Sequence, residues 1–536
     1  MREELELAAR LLEHACWALQ KEMQEFAFKE SMVTLLPFAD DQDWGGPIKD
    51  LQDWDYGGWS EPEPGREFAA RLQVVQKGIQ DRVDVDPVVR GQVKEEERLV
   101  STARWLAVEF FSKRLETARG SPSILESVHS ASTSDESLLE TARVSLPTLK
   151  ALAQQADFLR NFTEMWTIYQ VAWEQRHKES RDSEIKEGPI LRSLRAADGV
   201  VRSLYEVVQQ QKLDLEMPHQ LLIVVPFMSS LYAAGFDLPT PYIVAPYWGH
   251  RQVWTWLAYA HEVGHHVYRN VKGLSDELEI NLALELWSRG EGYDIQYIWF
   301  HWLEEIFADL FGLLQIGPAF ARTQQLMLPH LPFRVLRRMG ESPNLGDALL
   351  RAADETHPIP YLRVLLAIRA LEKLGTTDIE PLKEKWDTRF QDVDTSKVYA
   401  RVRGRYVELP ADRMEEVGNT VLEVILKTDL YALAEKSSDE DEKEPTETES
   451  SSCCRKLEDF CEPLDEDKVQ AALNAISGVP SGGFDTRHLL AATQKSLQDL
   501  WEKTEGKPSD EDIDDLNTRV INTIMGAYQE SALPAI

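Results

Sequence analysis

The chain is poor in cysteine and has no long apolar run, and these two absences exclude several classes of protein. Only four cysteines occur in 536 residues, and three of them, Cys453, Cys454 and Cys461, lie close together. They are too few for a disulfide scaffold and lack the paired CxxC spacing of a structural zinc site. No stretch reaches the ~18 apolar residues of a membrane helix, and the acidic N-terminus does not resemble a signal peptide. We therefore expect a soluble, cytoplasmic protein without a membrane partner.

Positive charge is also scarce. The 58 lysines and arginines are outnumbered by 91 acidic residues, so the formal net charge at pH 7 is −33. A surface of this sign repels the phosphates of nucleic acids, which we therefore do not expect as partners. The hydrophobic fraction of 43% and the 15 tryptophans are typical of a folded protein, and the length predicts several domains. The sequence leaves the oligomeric state open.

One stretch carries a chemical pattern, AYAHEVGHHVY, from Ala258 to Tyr268. On a helix, His261 and His265 lie about one turn apart, so both imidazoles can face a single Zn²⁺. Glu262 then lies beside them, where it can accept a proton from a metal-activated water. Apolar residues at three- and four-residue spacing predict the buried side of this helix, and the two histidines fall off that stripe. The stripe comprises Val253, Trp256, Ala260, Val263, Val267 and Val271.

A second segment, HWLEEIFADLFG at 301–312, supplies a third ligand. Glu305 and Asp309 are four residues apart, so a helix places both carboxylates on one face. Here the chain resembles the gluzincin metallopeptidases, in which a glutamate on a second helix completes the zinc site and an aspartate one turn later holds a ligating histidine. The resemblance implies that Glu305 binds the metal and that Asp309 accepts the remaining N–H of an imidazole.

Two other residues are alternatives as ligands. Glu285 follows His265 at a spacing closer to that of thermolysin, but the residue one turn later is Arg289, which cannot accept a histidine proton. His301 stands one turn before Glu305 on the same face, so it could approach the metal or simply line a cleft. We prefer Glu305 to Glu285 as the third ligand, and a cleft-lining or surface role to a ligand role for His301.

A third motif follows in Thr356-His357-Pro358, with Arg363 six residues after the histidine. The order HExxH, ExxAD and THP resembles the family of HtpX and the CAAX prenyl endopeptidases over roughly residues 240–375. The resemblance implies that His357 lies near the metal, where it could donate a hydrogen bond to the negative charge that develops on a carbonyl oxygen. These relatives are commonly embedded in membranes, and this chain has no comparable span.

Helical periodicity dominates the rest of the chain. The predicted fold is mainly α, a multi-helical protein with a zincin-like α+β metallopeptidase core that carries a small β-sheet. Short strands are expected at 221–226 and 242–246, the second at the sheet edge. An N-terminal helix over 2–30 is expected to bury one face, made of Leu5, Ala8, Leu11, Leu12, Ala15 and Leu19.

The same patterns predict five segments along the chain. They are an N-terminal helical domain (1–215), the metallopeptidase core (216–375), a helical extension with a possible hairpin at 397–409 (376–436), an acidic serine-rich linker (437–452) and a C-terminal module of three helices (453–536).

Together the motifs predict a zinc-dependent peptidase that acts on a peptide or protein substrate. His261, His265 and Glu305 would hold Zn²⁺, with Glu262 as the general base. The alternative is a non-catalytic helical scaffold or sensor in which zinc only stabilises the fold. Glu262 favours the enzyme because a purely structural site has no use for a general base, and such a site would also be closed by a fourth protein ligand.

Overall fold

The computed structural model describes residues 189–211, 252–328, 355–376, 379–434 and 454–531. It also describes short pieces at 222–224, 232–234, 241–246 and 349–352, the single positions 213 and 249, and scattered residues within 9–23 and 152–175. The chain divides into two compact units, Met1–Trp173 and Glu174–Ile536. The predicted linker at 437–452 lies outside the described residues.

In the first unit, the described residues between 9 and 23 are helical, as predicted, but the buried face differs. Leu11 is 62% exposed and Ala15 is exposed too, so the predicted burial of these two positions is wrong. Leu5 and Ala8 lie outside the described residues. The buried positions follow one another at spacings of seven, three and four, which is also a helical stripe. They are Ala9, Cys16, Leu19 and Met23, and the pattern is visible only if cysteine and methionine are counted as core residues.

The second unit is mainly α-helical. Its helices are α1 (Pro189–Gln210), α2 (Tyr259–Asn270), α3 (Leu274–Ser288), α4 (Tyr293–Ile316), α5 (Pro318–Met327), α6 (Pro360–Lys373), α7 (Glu380–Phe390), α8 (Ala411–Lys427), α9 (Glu466–Ile476), α10 (Thr486–Lys503) and α11 (Asp510–Ser531). Its strands are β1 (Leu222–Val224), β2 (Tyr232–Ala234), β3 (Tyr242–Val244), β4 (Lys397–Val402) and β5 (Arg405–Pro410). None of the helices among the described residues is long and apolar enough to cross a membrane.

The first three strands form one small sheet with the order β1-β3-β2. β3 is parallel to β1 and antiparallel to β2, so it is the central strand. The prediction that it lies at the edge is therefore wrong, and β2 was not predicted at all. Tyr242, Ile243 and Val244 are all buried, as expected of a strand with neighbours on both sides.

The helix α2 begins directly after a 3₁₀ turn at Val253–Ala258. All six residues of the predicted apolar stripe are buried, so this prediction is confirmed. The C-terminal helix α11 contributes to the start of this turn, because Asn517 Oδ1 accepts a hydrogen bond of 3.1 Å from the backbone N–H of Val253. Core contacts therefore fix both the turn that precedes the HExxH helix and the buried side of that helix.

The later elements agree with the sequence in most respects. The predicted hairpin of β4 and β5 and the three predicted C-terminal helices are confirmed, and in the helical extension (376–436) the last α-helix, α8, ends at Lys427. The helices α10 and α11 pack against α1 and the 3₁₀ turn, and α1 packs against α2. The C-terminal helices and α1 therefore belong to the same compact unit as the motif helices.

Candidate metal centre

Two crossing helices bring three donor side chains together. α2 supplies His261 and His265, and α4 supplies Glu305. The two histidine Nε2 atoms are 3.0 Å apart. Glu305 Oε1 lies 3.3 Å from His265 Nε2, and Glu305 Oε2 lies 3.5 Å from His261 Nε2. Among the described residues, this is the one group of three histidine, cysteine or acidic side chains with the spacing of metal ligands.

The donor set fits a zinc ion in both chemistry and size. Nitrogen and oxygen atoms placed tetrahedrally at ~2.0–2.1 Å from Zn²⁺ are ~3.3–3.4 Å apart, and the three observed separations bracket this value. Glu305 Oε2 is buried and accepts no hydrogen bond from any described residue. Arg363 and His261 lie 3.3 and 3.5 Å from this oxygen without hydrogen-bond geometry, which leaves it able to bind a metal ion. His261, His265 and Glu305 are therefore suited to hold one Zn²⁺.

Gly264 explains why the two helices can approach so closely. A Cβ atom at this position would lie 2.7 Å from the Cα of Ala308 and 3.1 Å from the Cβ of Phe311. The backbones of α2 and α4 are thus in direct contact between the two histidines of the motif. Any larger side chain at Gly264 would push the histidines away from Glu305.

The outer nitrogen of His261 faces a buried carboxylate. His261 Nδ1 lies 2.9 Å from Asp309 Oδ1, which is close enough for an ion pair, although the alignment falls short of a hydrogen bond. Arg363 donates two hydrogen bonds to the same carboxylate, from Nε at 2.7 Å and from a terminal nitrogen at 2.6 Å. Arg363 also reaches to 3.3 Å from Glu305 Oε2. The third sequence motif therefore contributes an arginine that fixes Asp309 in place.

The outer nitrogen of His265 faces a second carboxylate, which the sequence reasoning missed. His265 Nδ1 lies within hydrogen-bond distance, 2.9 Å, of Glu304 Oε1. Arg269 donates to both oxygens of Glu304, at 2.7 and 3.0 Å. One signal was available, because Arg269 follows His265 by four residues and so shares its face of α2. Because Arg269 is a cation next to the proposed ligand His265, an acidic residue that contacts both side chains could have been expected.

Charge pairing controls the protonation of the cluster. Burial acts to lower the pKa of His265, but Glu304 and Glu305 outweigh it and raise the pKa to about 10. The pKa of His261 is raised for the same reason, by Asp309 and Glu305 against burial. Burial acts to raise the pKa of Glu305, yet His261, His265 and Arg363 hold it well below its usual range. The cluster thus attracts positive charge, which a metal ion supplies when it displaces the histidine protons.

Glu262 and His357 border the three donors. Glu262 is 5% exposed, and its negative charge is among those that raise the pKa of His265. His357 approaches from the loop before α6, with Nε2 3.4 Å from Glu305 Oε1 and a side chain that is 49% exposed. A buried carboxylate and a solvent-facing imidazole therefore lie beside the same donor group.

The two alternative ligands lie elsewhere. Glu285 pairs with Arg289 at 2.6 Å on the exposed side of α3 and does not belong to the donor group. His301 Nδ1 lies 2.8 Å from the backbone oxygen of Tyr297, and its ring packs on that of Tyr297 with centroids 4.0 Å apart. The structure thus groups Glu305, and neither alternative, with the two motif histidines.

Comparison with known proteins adds no further information. No protein-family model matches the chain, no curated protein resembles it significantly, and no solved structure matches its fold.

Proposed function

We propose that this protein is a zinc-dependent peptidase in which His261, His265 and Glu305 hold the metal. The observation that carries the proposal is the triangle of donors at zinc-like spacing with the buried carboxylate of Glu262 beside it. Three protein ligands leave the fourth tetrahedral position for water or substrate, as in catalytic zinc sites. A structural site would fill that position with a fourth protein ligand.

When bound, Zn²⁺ lowers the pKa of water towards ~7 and polarises the scissile carbonyl. Glu262 accepts the proton of the attacking water and then delivers it to the leaving amine. His357 donates a hydrogen bond from its imidazole to the carbonyl oxygen as negative charge develops there. Asp309 and Glu304 hold the two histidines in an orientation that would let both Nε2 atoms bind the metal.

The decisive experiment compares the wild type with Glu262→Gln. The variant should keep about one zinc per chain in elemental analysis, because Glu262 is proposed to act on water and not on the metal. It should lose most turnover, by several kcal/mol of barrier, because glutamine cannot accept the proton. Cleavage is measured by mapping the new protein N-termini that each protein generates in a lysate, which requires no chosen substrate.

Two outcomes would count against the proposal. If both proteins generate the same new N-termini, Glu262 has no part in the reaction. If zinc removal lowers the melting temperature but neither protein cleaves anything, the zinc-stabilised scaffold becomes the better interpretation. A His261→Ala, His265→Ala double variant that retains full zinc would place the metal elsewhere.

A further inference from the structure

Three arginines lie close together near the tip of the β4–β5 hairpin. Arg401, Arg403 and Arg405 have no carboxylate within ion-pair distance in the part of the chain that the structure describes. Other arginines of the same unit do have partners, such as Arg369 with Glu415 and Arg413 with Glu291. In a chain with 91 acidic and 58 basic residues, such a group of neighbouring arginines is unexpected. A local positive potential on an acidic protein is a means of attracting an anion.

The turn of the hairpin favours a role for Arg403 beyond folding. Arg403 and Gly404 both have positive φ, 48° and 78°, as in a two-residue type I′ turn. Asparagine or glycine adopts this conformation more readily than arginine does. An arginine at this position is therefore better explained by what its side chain binds than by the turn itself.

The hairpin tip is attached to the candidate metal centre through Glu355. The backbone N–H of Gly404 donates to one oxygen of Glu355, and the hydroxyl of Tyr297 donates to the other at 2.6 Å. His357, two residues further on, lies beside Glu305. Glu355 is thus engaged by neutral donors, and its single charge does not neutralise the three arginines.

An aromatic surface connects the hairpin with the metal centre. Tyr293, Tyr297 and His301 follow one another at four-residue spacing on α4, with ring centroids 6.2 and 4.0 Å apart. Arg403 donates a hydrogen bond of 2.8 Å to the hydroxyl of Tyr293. At ~1.5 Å per residue, Tyr297 and Tyr293 lie ~12 and ~18 Å along α4 from Glu305. The series therefore extends from one turn before the metal ligand to the arginines.

We infer that this hairpin tip, together with the aromatic series, is a substrate subsite for acidic residues of an extended peptide. An extended chain spans ~3.3 Å per residue, so the acidic residues would lie about four to six positions from the scissile bond. Arg403 and Arg401 each use one donor inside the protein, to Tyr293 and to the backbone oxygen of Gly404, and they lie over the rings of Tyr293 and Tyr406. The terminal N–H groups that these contacts leave are the donors for a carboxylate. This inference rests on the proposed peptidase function for its placement of the scissile bond.

Arg403→Asn is the variant that tests the subsite. It removes the cation but supplies the residue that the turn prefers, so the hairpin should fold at least as well. Lys397→Gln is the matched control, because it removes one positive charge at the far end of the same hairpin, where Lys397 pairs with Glu408. Both changes are made in the zinc-loaded Glu262→Gln protein, so that binding is measured without cleavage.

The probes are two fluorescent peptides of about ten residues that differ only in a cluster of glutamates replaced by glutamines. Fluorescence anisotropy should show that the glutamate peptide binds more tightly, and that Arg403→Asn reduces this preference roughly tenfold, as expected for a charge-assisted hydrogen bond. Lys397→Gln should change the preference less than about twofold. In the active protein, the same loss should appear mainly in KM for an acidic substrate and not in kcat.

An unchanged preference in Arg403→Asn, confirmed with Arg401→Gln, would overturn the subsite. Tighter binding of the glutamine peptide by the parent protein would overturn it as well. A wild type that cleaves no peptide would contradict the peptidase function, but the anisotropy measurement would still decide whether the hairpin binds acidic peptides.

Discussion

Each histidine of the candidate metal centre faces a carboxylate that accepts two hydrogen bonds from an arginine, but the two arrangements differ in burial. We call His261, Asp309 and Arg363 the buried arm, and His265, Glu304 and Arg269 the open arm. The arginine–carboxylate distances are 2.6 and 2.7 Å in the buried arm and 2.7 and 3.0 Å in the open arm. The arginine side chain is 7% exposed in the first and 52% exposed in the second.

The comparison shows that the same contact can serve two purposes. In the buried arm, water cannot replace a missing partner, so each group is needed to compensate the charge of the others. In the open arm, water can solvate the group that remains when its partner is removed, so loss of the contact should cost the fold little stability. The contact then serves mainly to orient His265. We expect the buried arm to support both the fold and the metal, and the open arm to adjust metal affinity alone.

The largest expected difference concerns stability. Arg363→Met removes one of the two cationic groups that face the buried Asp309 carboxylate and leaves only His261, which should lower the free energy of unfolding by ~3–5 kcal/mol, as for other broken buried ion pairs. Arg269→Met, the same change in the open arm, should lower it by only ~0.2–1 kcal/mol. Urea unfolding of the metal-free proteins measures both without a contribution from zinc. Equal losses in the two variants would mean that burial does not distinguish the arms.

The next difference concerns zinc affinity. Asp309→Ala should weaken zinc ~10- to 100-fold, as is usual when a partner of a ligating histidine is removed. Glu304→Ala should weaken it less than ~10-fold, because water can accept the N–H of His265 in its place. Competition with a chelator gives both constants. Two further variants give the range of zinc affinities to compare with. Glu305→Ala removes a proposed ligand and should cause the largest loss, and Glu285→Ala removes a distant surface carboxylate and should cause none.

A larger loss of zinc in Glu304→Ala than in Asp309→Ala would reverse the comparison. A loss in Glu285→Ala that equals the loss in Glu305→Ala would remove Glu305 from the ligand set. Glu285 is a suitable control, because it pairs with Arg289 on the exposed side of α3 and lies outside the donor group.

Sequence spacing could predict which side chains share a helix face, and this accounts for its successes. The stripe from Val253 to Val271 is buried, and helical geometry alone puts His261 and His265 on the side away from it. The same spacing put Glu305 and Asp309 on one face of a helix, whereas their roles at the metal and at a histidine were predicted from the resemblance to the gluzincins. Periodicity acts within one element, and even there it can fail, because Leu11 and Ala15 of the N-terminal helix are exposed although the pattern predicted their burial.

Relations between elements could not be predicted in the same way. Glu304 looks like a solvated neighbour of Glu305 until the crossing of α2 and α4 brings it to His265. That crossing depends on Gly264, whose role is visible only when Ala308 is seen beside it. The strand β2 has the sequence YAA, too short and too weak in β-propensity to be recognised, so the sequence did not indicate that β3 has a neighbour on both sides.

The smallest expected difference between the arms is their response to salt. A double-mutant cycle of Arg269→Met and Glu304→Gln on the metal-free protein should give a coupling of ~0.2–1 kcal/mol at about 0.1 M NaCl. The cycle cancels the change in net charge, so it reports the pair itself. At about 1 M NaCl the Debye length falls from ~10 to ~3 Å, and the coupling of this exposed pair should approach zero. The corresponding cycle of Arg363→Met and Asp309→Asn should keep most of its coupling, because ions cannot enter between buried partners. If salt reduces both couplings by the same fraction, the two arms are equally accessible to solvent and the distinction between them fails.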